Sequence, residues 1–443
     1  MTWAFVLLGS VLAGWLVAVS VNVRRHLTPW LVMYSVLPLR KWTEETVSIP
    51  GLGQLLLDPL IALFFIFLMG VKVLILRNNL QGSLRHISLS WLFVMLAFVS
   101  ALVVGFQGSG VGIKMFARIL FPVLVFALVV VEYRNEPRPG KIIDLYLVLG
   151  AVISVVVFAL SRSNYSVIHW SAGVDRLSGL GSVADHAYLM GLLCILSYVR
   201  FRTSKNKLRY LALFAVFAAQ LLMTVTRGAI GATFVAIICI ELFGSRQQVT
   251  QKIAMIGIMG LVMVAATILY KPLNERIFAT HYKDSSQSAS TSQMLSKSFE
   301  RSGRSDLWKY VFDRIFSDFH LATGYGVGRA DIDIGEALGG MPHNEYLRIL
   351  YELGLPGMLL FLACLMQLWV LARRIVKHVD PADLSPVVQC CVGIVVFYCF
   401  GALVDNMISK YKNVGVPLYL FAGLAVVWVG QLRRRILVAE KGD

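Results

Sequence analysis

The sequence predicts an all-α polytopic membrane protein, with about twelve transmembrane helices and one long polar loop on the outer side. Three observations carry this reading. Long apolar runs recur from Trp3 to Trp428, and a helix crossing a hydrocarbon core of roughly 30 Å needs about 20 such residues. Of the residues, 57% are hydrophobic and only 15% charged, with a mean hydropathy of +0.72, whereas soluble domains carry about 25% charged residues. The runs also alternate with short basic loops, as repeated crossings require. A soluble protein is excluded, and helices are the element that satisfies its own backbone in lipid.

The elements follow in order. Apolar segments lie near 3–20, 28–39, 56–76, 89–106, 112–131, 142–160, 183–200, 208–225, 228–244, 253–270, 349–373, 386–405 and 415–432. The first has no basic region before it and no small-residue cleavage site after it, so it is expected to be retained. The second is only about a dozen residues long and contains Pro29 and Pro38, too short to span comfortably. The first two are therefore expected to form one irregular unit, which leaves twelve spans with both ends inside. Residues 1–270 form an N-terminal bundle, 271–345 a long outer loop that carries catalytic elements, and 346–443 the C-terminal helices and tail.

The balance of 41 Lys+Arg against 25 Asp+Glu gives a net charge of +16. On a soluble protein such an excess points to nucleic acid; here it must first be sorted by loop. Arg24/Arg25, Arg77/Arg85, the stretch Arg134 to Lys141, the cluster Arg200 to Arg209, Arg246/Lys252, Arg373/Arg374/Lys377 and Arg433 to Arg435 fall on alternate sides of successive runs and are assigned to the cytoplasm. No nucleic-acid partner is expected. The six cysteines all sit inside apolar runs and read as small core residues, neither a disulfide framework nor a metal site.

The outer loop changes character along its length. Ser285 to Ser298 is polar loop. The run RSDLWKYVFDRIFSDF then places Leu307, Val311 and Ile315 on one helical face, with Trp308, Phe312 and Phe316 beside them, an amphipathic helix for the membrane surface or the bundle. GYGVG follows and reads as a turn. No internal repeat is evident, which counts against a secondary transporter.

Ionisable groups at the membrane are the candidates for function. Lys114 and Arg118 stand one turn apart at the outer end of a span, Arg227 caps another in TVTRGAIGA, and Arg348 enters a third. Arg176, Arg301 and Arg304 lie in the two outer loops. Individually such residues can be snorkelling to headgroups. As a set on the side that the charge rule disfavours, their guanidinium forks suit phosphate oxygens. His343 stands in Pro342-His343-Asn344-Glu345, where the loop re-enters the bilayer beneath these cations. It can accept a proton near neutral pH, although an interfacial, hydrogen-bonded histidine is the plainer reading. His186 beside Asp185 starts a span and can serve as polar glue. Asp405 is placed to pair with one of the arginines. Lys72 and Glu241 lie too near the inner ends to join this group. Asp331-Ile332-Asp333 has the spacing of a metal-binding acid pair, but among glycines in a loop it is read as no metal site.

Outer arginines with one histidine, and without a carboxylate pair, suit one chemistry. A glycosidase needs two carboxyl groups because its leaving group is poor. A polyprenyl pyrophosphate departs readily once its developing charge is stabilised, so a single base on the acceptor hydroxyl is enough.

At these residues the chain resembles the O-antigen ligase and polymerase superfamily. The resemblance is carried by Thr224-Val225-Thr226-Arg227-Gly228, the stretch Arg301 to Trp308, Gly324-Tyr325-Gly326-Val327-Gly328, and Pro342-His343-Asn344-Glu345-Tyr346 followed by Glu352-Leu353-Gly354-Leu355-Pro356-Gly357. It covers roughly residues 170 to 410, is specific as a set though each piece is loose, and is closest in layout to the ligases. It implies a metal-independent, cofactor-free, inverting glycosyltransferase of the membrane-embedded GT-C type, in a bacterial inner membrane with a periplasmic site. The donor would be undecaprenyl pyrophosphate-linked O-antigen and the acceptor lipid A-core. His343 would be the base. Arg227 and a loop arginine, Arg301 or Arg304, would hold the pyrophosphate, with Arg304 favoured because it begins the helix of Trp308. Arg176, Lys114 and Arg118 would add charge, and Asn344, Tyr346 and Asp405 would support the site. An O-antigen polymerase, a protein O-oligosaccharyltransferase and a lipid-linked sugar transporter stand as alternatives. For the polymerase, Arg162/Gly173 and Arg329/Gly340 share an Arg-x10-Gly spacing, near what chance gives among 36 glycines.

Overall fold

The computed structural model describes residues 14–22, 25–37, 46–49, 53–80, 82–106, 111–135, 140–162, 167–169, 175–179, 181–244, 249–270, 272–274, 304–317, 320–338, 343–378 and 385–439. The chain is a multi-pass helical protein. Six described helices are long and apolar enough to cross a membrane, within Leu84–Val104, Val111–Tyr133, Lys141–Ser161, Glu345–Val376, Pro386–Val404 and Ile408–Leu432.

In chain order the helices are α1 (Thr28–Val36), α2 (Leu57–Ile75), α3 (Ser88–Phe106), α4 (Val111–Tyr133), α5 (Lys141–Ser161), α6 (Val183–Thr203), α7 (Lys207–Met223), α8 (Arg227–Gly244), α9 (Val249–Leu269), α10 (Arg304–Ser317), α11 (Arg329–Leu338), α12 (Glu345–His378), α13 (Pro386–Val404) and α14 (Val416–Ala439). A short 3-10 turn, Ile408–Lys410, and a π-helical turn, Tyr411–Gly415, lead into α14. Two antiparallel hairpins add a little sheet that the all-α expectation did not contain. Strands β1 (Thr46–Ile49) and β2 (Gly53–Leu56) form one, and β3 (Val167–His169) and β4 (Asp175–Leu177) the other, in which Ile168 faces Arg176.

The bundle is held by apolar faces. α8 lies along α13, α6 along α7, and α14 along α4, and Phe121, Phe126, Tyr188, Phe397 and Phe421 are among the large side chains enclosed. Leu74, Val155, Leu261 and Leu269 point outward, as helices in lipid permit because the tails are as apolar as leucine.

The irregular N-terminal unit is present where it is described. Residues 14–21 are helical, and α1 is nine residues long with Pro29 at its start. The break between them is pinned by Glu132 of α4, whose carboxylate accepts from Leu27 N (2.7 Å), Thr28 N (3.0 Å) and Thr28 Oγ1 (2.7 Å). Lys72 donates to the carbonyls of Val19, Asn22 and Arg25. The basic loops assigned to one side do meet. Arg134 reaches Asn78 O (3.3 Å), Arg434 reaches Arg134 O (2.7 Å), and Gln367 reaches Arg85 O (3.1 Å).

At the opposite end, α10 and α11 sit on the first turns of α12. Leu307, Val311 and Ile315 are buried with Ala330, Ile334, Leu347, Leu350 and Tyr351 in an apolar cluster of their own. The expected amphipathic face is therefore spent on the chain itself, while Phe312 and Phe316 lie exposed, stacked at 6.4 Å. The Asp331/Asp333 stretch is helical, contrary to the loop reading. Apolar positions 330 and 334 recur at helical spacing, and Arg329 pairs with Asp333 one turn on at 2.8 Å, an arrangement that supports a helix.

GYGVG is more than a turn. α12 breaks at Gly354 (φ 66°, ψ −170°), which leaves backbone groups of its two halves without helical partners. The glycine segment supplies them. Tyr325 N donates to Tyr351 O (2.9 Å), Gly326 N to Glu352 O (2.8 Å), and Leu355 N to Leu321 O (2.7 Å). A Cβ on Gly324 would come within 2.5 Å of the Glu352 carbonyl, and one on Gly354 within 2.7 Å of Leu321 O. Both residues also hold positive φ, so only glycine fits. Two motifs some thirty residues apart are thus halves of one joint.

Candidate active site

Asn344 is the N-cap of α12, its Oδ1 accepting from Leu347 N at 3.2 Å, a position that favours Asn. The residue before it, His343, sits at φ +47°, where a non-glycine residue is uncommon and histidine is among those enriched. The chain therefore turns sharply ahead of the helix, and the imidazole is left 48% exposed. Its Nδ1 lies 3.6 Å from Asp405 Oδ1. Asp405 is the C-cap of α13, so a helix end and a helix start meet at this pair.

The carboxylate has further partners. Asn406 N donates to Asp405 Oδ1 at 2.8 Å, and Lys410 Nζ stands 3.5 Å from Oδ2. Burial pushes the Asp405 carboxyl up, but Lys410, the His343 ring and the Asn406 N–H outweigh it and hold the group below its ordinary value. Asp405 is thus an anion fixed against the imidazole, and its partners are His343 and Lys410 where an arginine was expected. Lys410 continues to Asp185 Oδ1 (3.6 Å) in the first turn of α6, and Asp185 is held by Ser182 Oγ at 2.6 Å.

Arg227 opens α8 directly after a bent turn in which Val225 holds φ +51°. Arg176, on β4, braces that turn, donating to Thr224 O (3.0 Å) and Thr226 Oγ1 (3.1 Å), and burial lowers its pKa from the ordinary arginine value. Gly228, next to Arg227, packs on Val404 and Tyr188. The turn carrying Arg227 and the C-cap carrying Asp405 are therefore neighbours. Lys114 and Arg118 lie in the first two turns of α4, and Arg118 Nη1 approaches Met115 Sδ at 3.4 Å. The start of α4 meets GYGVG, with Gly112 against Val327 O.

Arg348 departs from expectation. It is fully enclosed, paired with Asp331 (2.7 Å) and Glu352 (3.2 Å), and bonded to Ser409 Oγ (2.9 Å). Its charge is spent tying α11, α12 and the turn before α14 together, so it does not face the mouth. Asp331 and Asp333 are likewise engaged, the latter by Arg329 and by Tyr351 Oη at 2.8 Å. Glu345 accepts from Ile408 N (2.7 Å), and Tyr346 Oη donates to Cys399 O (3.0 Å). His186 is buried within α6. Glu241 receives Tyr198 and Arg202, away from the site as expected. Arg301 lies outside the described residues. Arg304 is the first residue of α10, as the favoured assignment requires, and its side chain is outside the described part.

Sequence reasoning missed Lys410 and Lys412, and named Asp185 only as the neighbour of His186. The signal was available: two lysines at the span end expected to be outer break the same charge rule that singled out Arg227. Lys412 lies 4.4 Å above the Tyr34 ring, a favourable cation–π distance.

Helices of membrane-crossing length and a histidine–aspartate pair among cations at one end define a multi-pass membrane protein with a polar site at its mouth. Residues 211–362 match the family described as O-antigen ligase. The matched span includes the Arg227 turn, the GYGVG joint and His343. No curated protein matches the chain.

Proposed function

We propose that the protein is an O-antigen ligase of a bacterial inner membrane, with its site on the periplasmic face. It transfers the polysaccharide from undecaprenyl pyrophosphate to a sugar of lipid A-core. The observation that carries the reading is the His343 ring, turned outward by its positive φ and seated against an ionised Asp405, beside the turn that presents Arg227.

The chemistry follows from these groups. Asp405 against Nδ1 favours the tautomer with its proton on Nδ1, leaving the Nε2 lone pair free to take the acceptor hydroxyl proton. The acceptor oxygen bonds to the anomeric carbon as the bond to the pyrophosphate oxygen breaks, and the electron pair leaves with the lipid pyrophosphate. Arg227, with Arg304 or Arg301 and the charges of Lys114 and Arg118, stabilises the oxygens as that charge develops. Arg176 acts on the same group by holding the Arg227 turn. Attack opposite the departing group inverts the anomeric centre. Neither metal nor cofactor is called for. The twelve-span GT-C arrangement and the organisation into 1–270, 271–345 and 346–443 belong to this proposal.

The test is reconstitution. Purified protein in liposomes with lipid-linked O-antigen and lipid A-core, in a chelator and without nucleotide, is expected to form lengthened lipopolysaccharide, read by gel mobility. Absence of product with both substrates present would overturn the ligase assignment. Product formed by extending the donor alone would reassign the protein as a polymerase.

A further inference from the structure

We propose that Lys410 is a positioning residue that sets the proton affinity of the His343–Asp405 pair through a charge chain ending at Asp185. The inference rests on the reading of His343 as the base.

Four groups from four elements stand in sequence. His343 Nδ1 is 3.6 Å from Asp405 Oδ1, Lys410 Nζ is 3.5 Å from Asp405 Oδ2, and Lys410 Nζ is 3.6 Å from Asp185 Oδ1. The three inner members are little exposed, Lys410 at 9%, Asp405 at 13% and Asp185 at 17%, so solvent screens their coupling far less than at an open surface. Lys410 also lies 5.7 Å from the Tyr188 ring on α6, which holds the ammonium in place. A lysine with no electrostatic task at this end of a span would extend to headgroups; this one is drawn between two carboxylates.

The charges facing the chain from other elements are few among the described residues. Arg348 and Glu345 of α12 reach the adjoining turn at Ser409 and Ile408 N. Arg348 is itself balanced by Asp331 and Glu352. Arg227 opens α8 beside Gly228, which packs on Val404 and Tyr188. Asp405 is held by Lys410 together with the Asn406 N–H, and Lys410 stands between the carboxylates of Asp405 and Asp185.

The signs are opposite at the two ends. An unshielded Asp405 attracts a proton to His343 more strongly; Lys410 moderates that attraction, and Asp185 in turn moderates Lys410. Removing the Lys410 charge should raise the pH at which His343 loses its proton, and removing the Asp185 charge should lower it. A merely structural tie between α6 and α13 would weaken the protein in both variants without moving that pH in opposite directions.

The experiment reads His343 directly. Diethyl pyrocarbonate acylates neutral imidazole, and peptide mapping by mass spectrometry gives the rate at His343 as a function of pH in the full-length purified protein. Lys410→Met should shift the midpoint upward by about half a pH unit or more, Asp185→Asn should shift it downward, and Lys410→Arg should restore it. The acid limb of the transfer rate should move in parallel. Unmoved midpoints, or shifts of one sign in both variants, would overturn the role of Lys410. Should Lys410→Met not fold, Asp185→Asn alone still decides the sign. The labelling needs no substrate, so an inactive protein with moved midpoints would count against the ligase reading, and an active one with unmoved midpoints against Lys410.

Discussion

Two charged clusters stand within a few residues of each other at the start of α12, one around Arg348 and one around His343. Arg348 has no exposed side-chain surface and meets Asp331, Glu352 and Ser409. His343 is 48% exposed and touches its cluster through a single ring nitrogen at Asp405. The first is centred on an enclosed guanidinium, so it can fix geometry but presents no arginine surface to a substrate. The second keeps a half-exposed imidazole with an anion against one of its nitrogens. From the sequence alone both look like functional charges at a membrane boundary; burial and the number of satisfied bonds separate them.

That comparison can be broken in order of expected effect. His343→Ala should reduce transfer by about 100- to 10,000-fold, the range of a general base, without lowering the unfolding temperature. Arg348→Ala should instead destabilise the fold by about 3–5 kcal/mol, because the buried Glu352 and the half-buried Asp331 lose their partner, read as a lower unfolding temperature in detergent. Gly354→Ala should destabilise by more than about 1 kcal/mol through its positive φ and its contact with Leu321 O. Asn344→Ala should cost about 1 kcal/mol by removing the cap of α12, with transfer reduced only as far as His343 is released. Asp405, held below the ordinary carboxylate value of 3.8, gives a pH test. A depressed carboxylate contributes its stability fully above the unfolded value and loses it as pH falls through the folded one. Asp405→Asn should therefore lose less stability than the natural protein as pH falls past the ordinary carboxylate value of 3.8 and through the lower folded one.

Much of this was legible beforehand because it depends on local rules. Apolar run length located the helices, the two prolines marked 28–39 as too short, and loop charge grouped the basic ends that meet in the structure. Helical spacing found the buried face of Leu307, Val311 and Ile315. The candidate site was legible where a residue was expected to break the charge rule, as Arg227 was, or carried a proton acceptor just ahead of a helix, as His343 does. What was not legible depends on pairing across distance. Arg348 and Asp331 are 17 positions apart, Asp405 and His343 are 62, and Lys410 and Asp185 are 225, and no periodicity links them. The glycines of GYGVG looked like an ordinary turn because their partner, the broken helix at Gly354, lies in a different motif.

The central claim is that chemistry belongs to the exposed cluster and architecture to the buried one. Its most direct test is a paired measurement on one batch of purified His343→Ala: unfolding temperature, and transfer from lipid-linked O-antigen to lipid A-core in liposomes. The account predicts an unfolding temperature equal to that of the natural protein together with transfer reduced by at least about 100-fold. Product at the natural rate would contradict it, and so would a loss of transfer that simply follows loss of the fold.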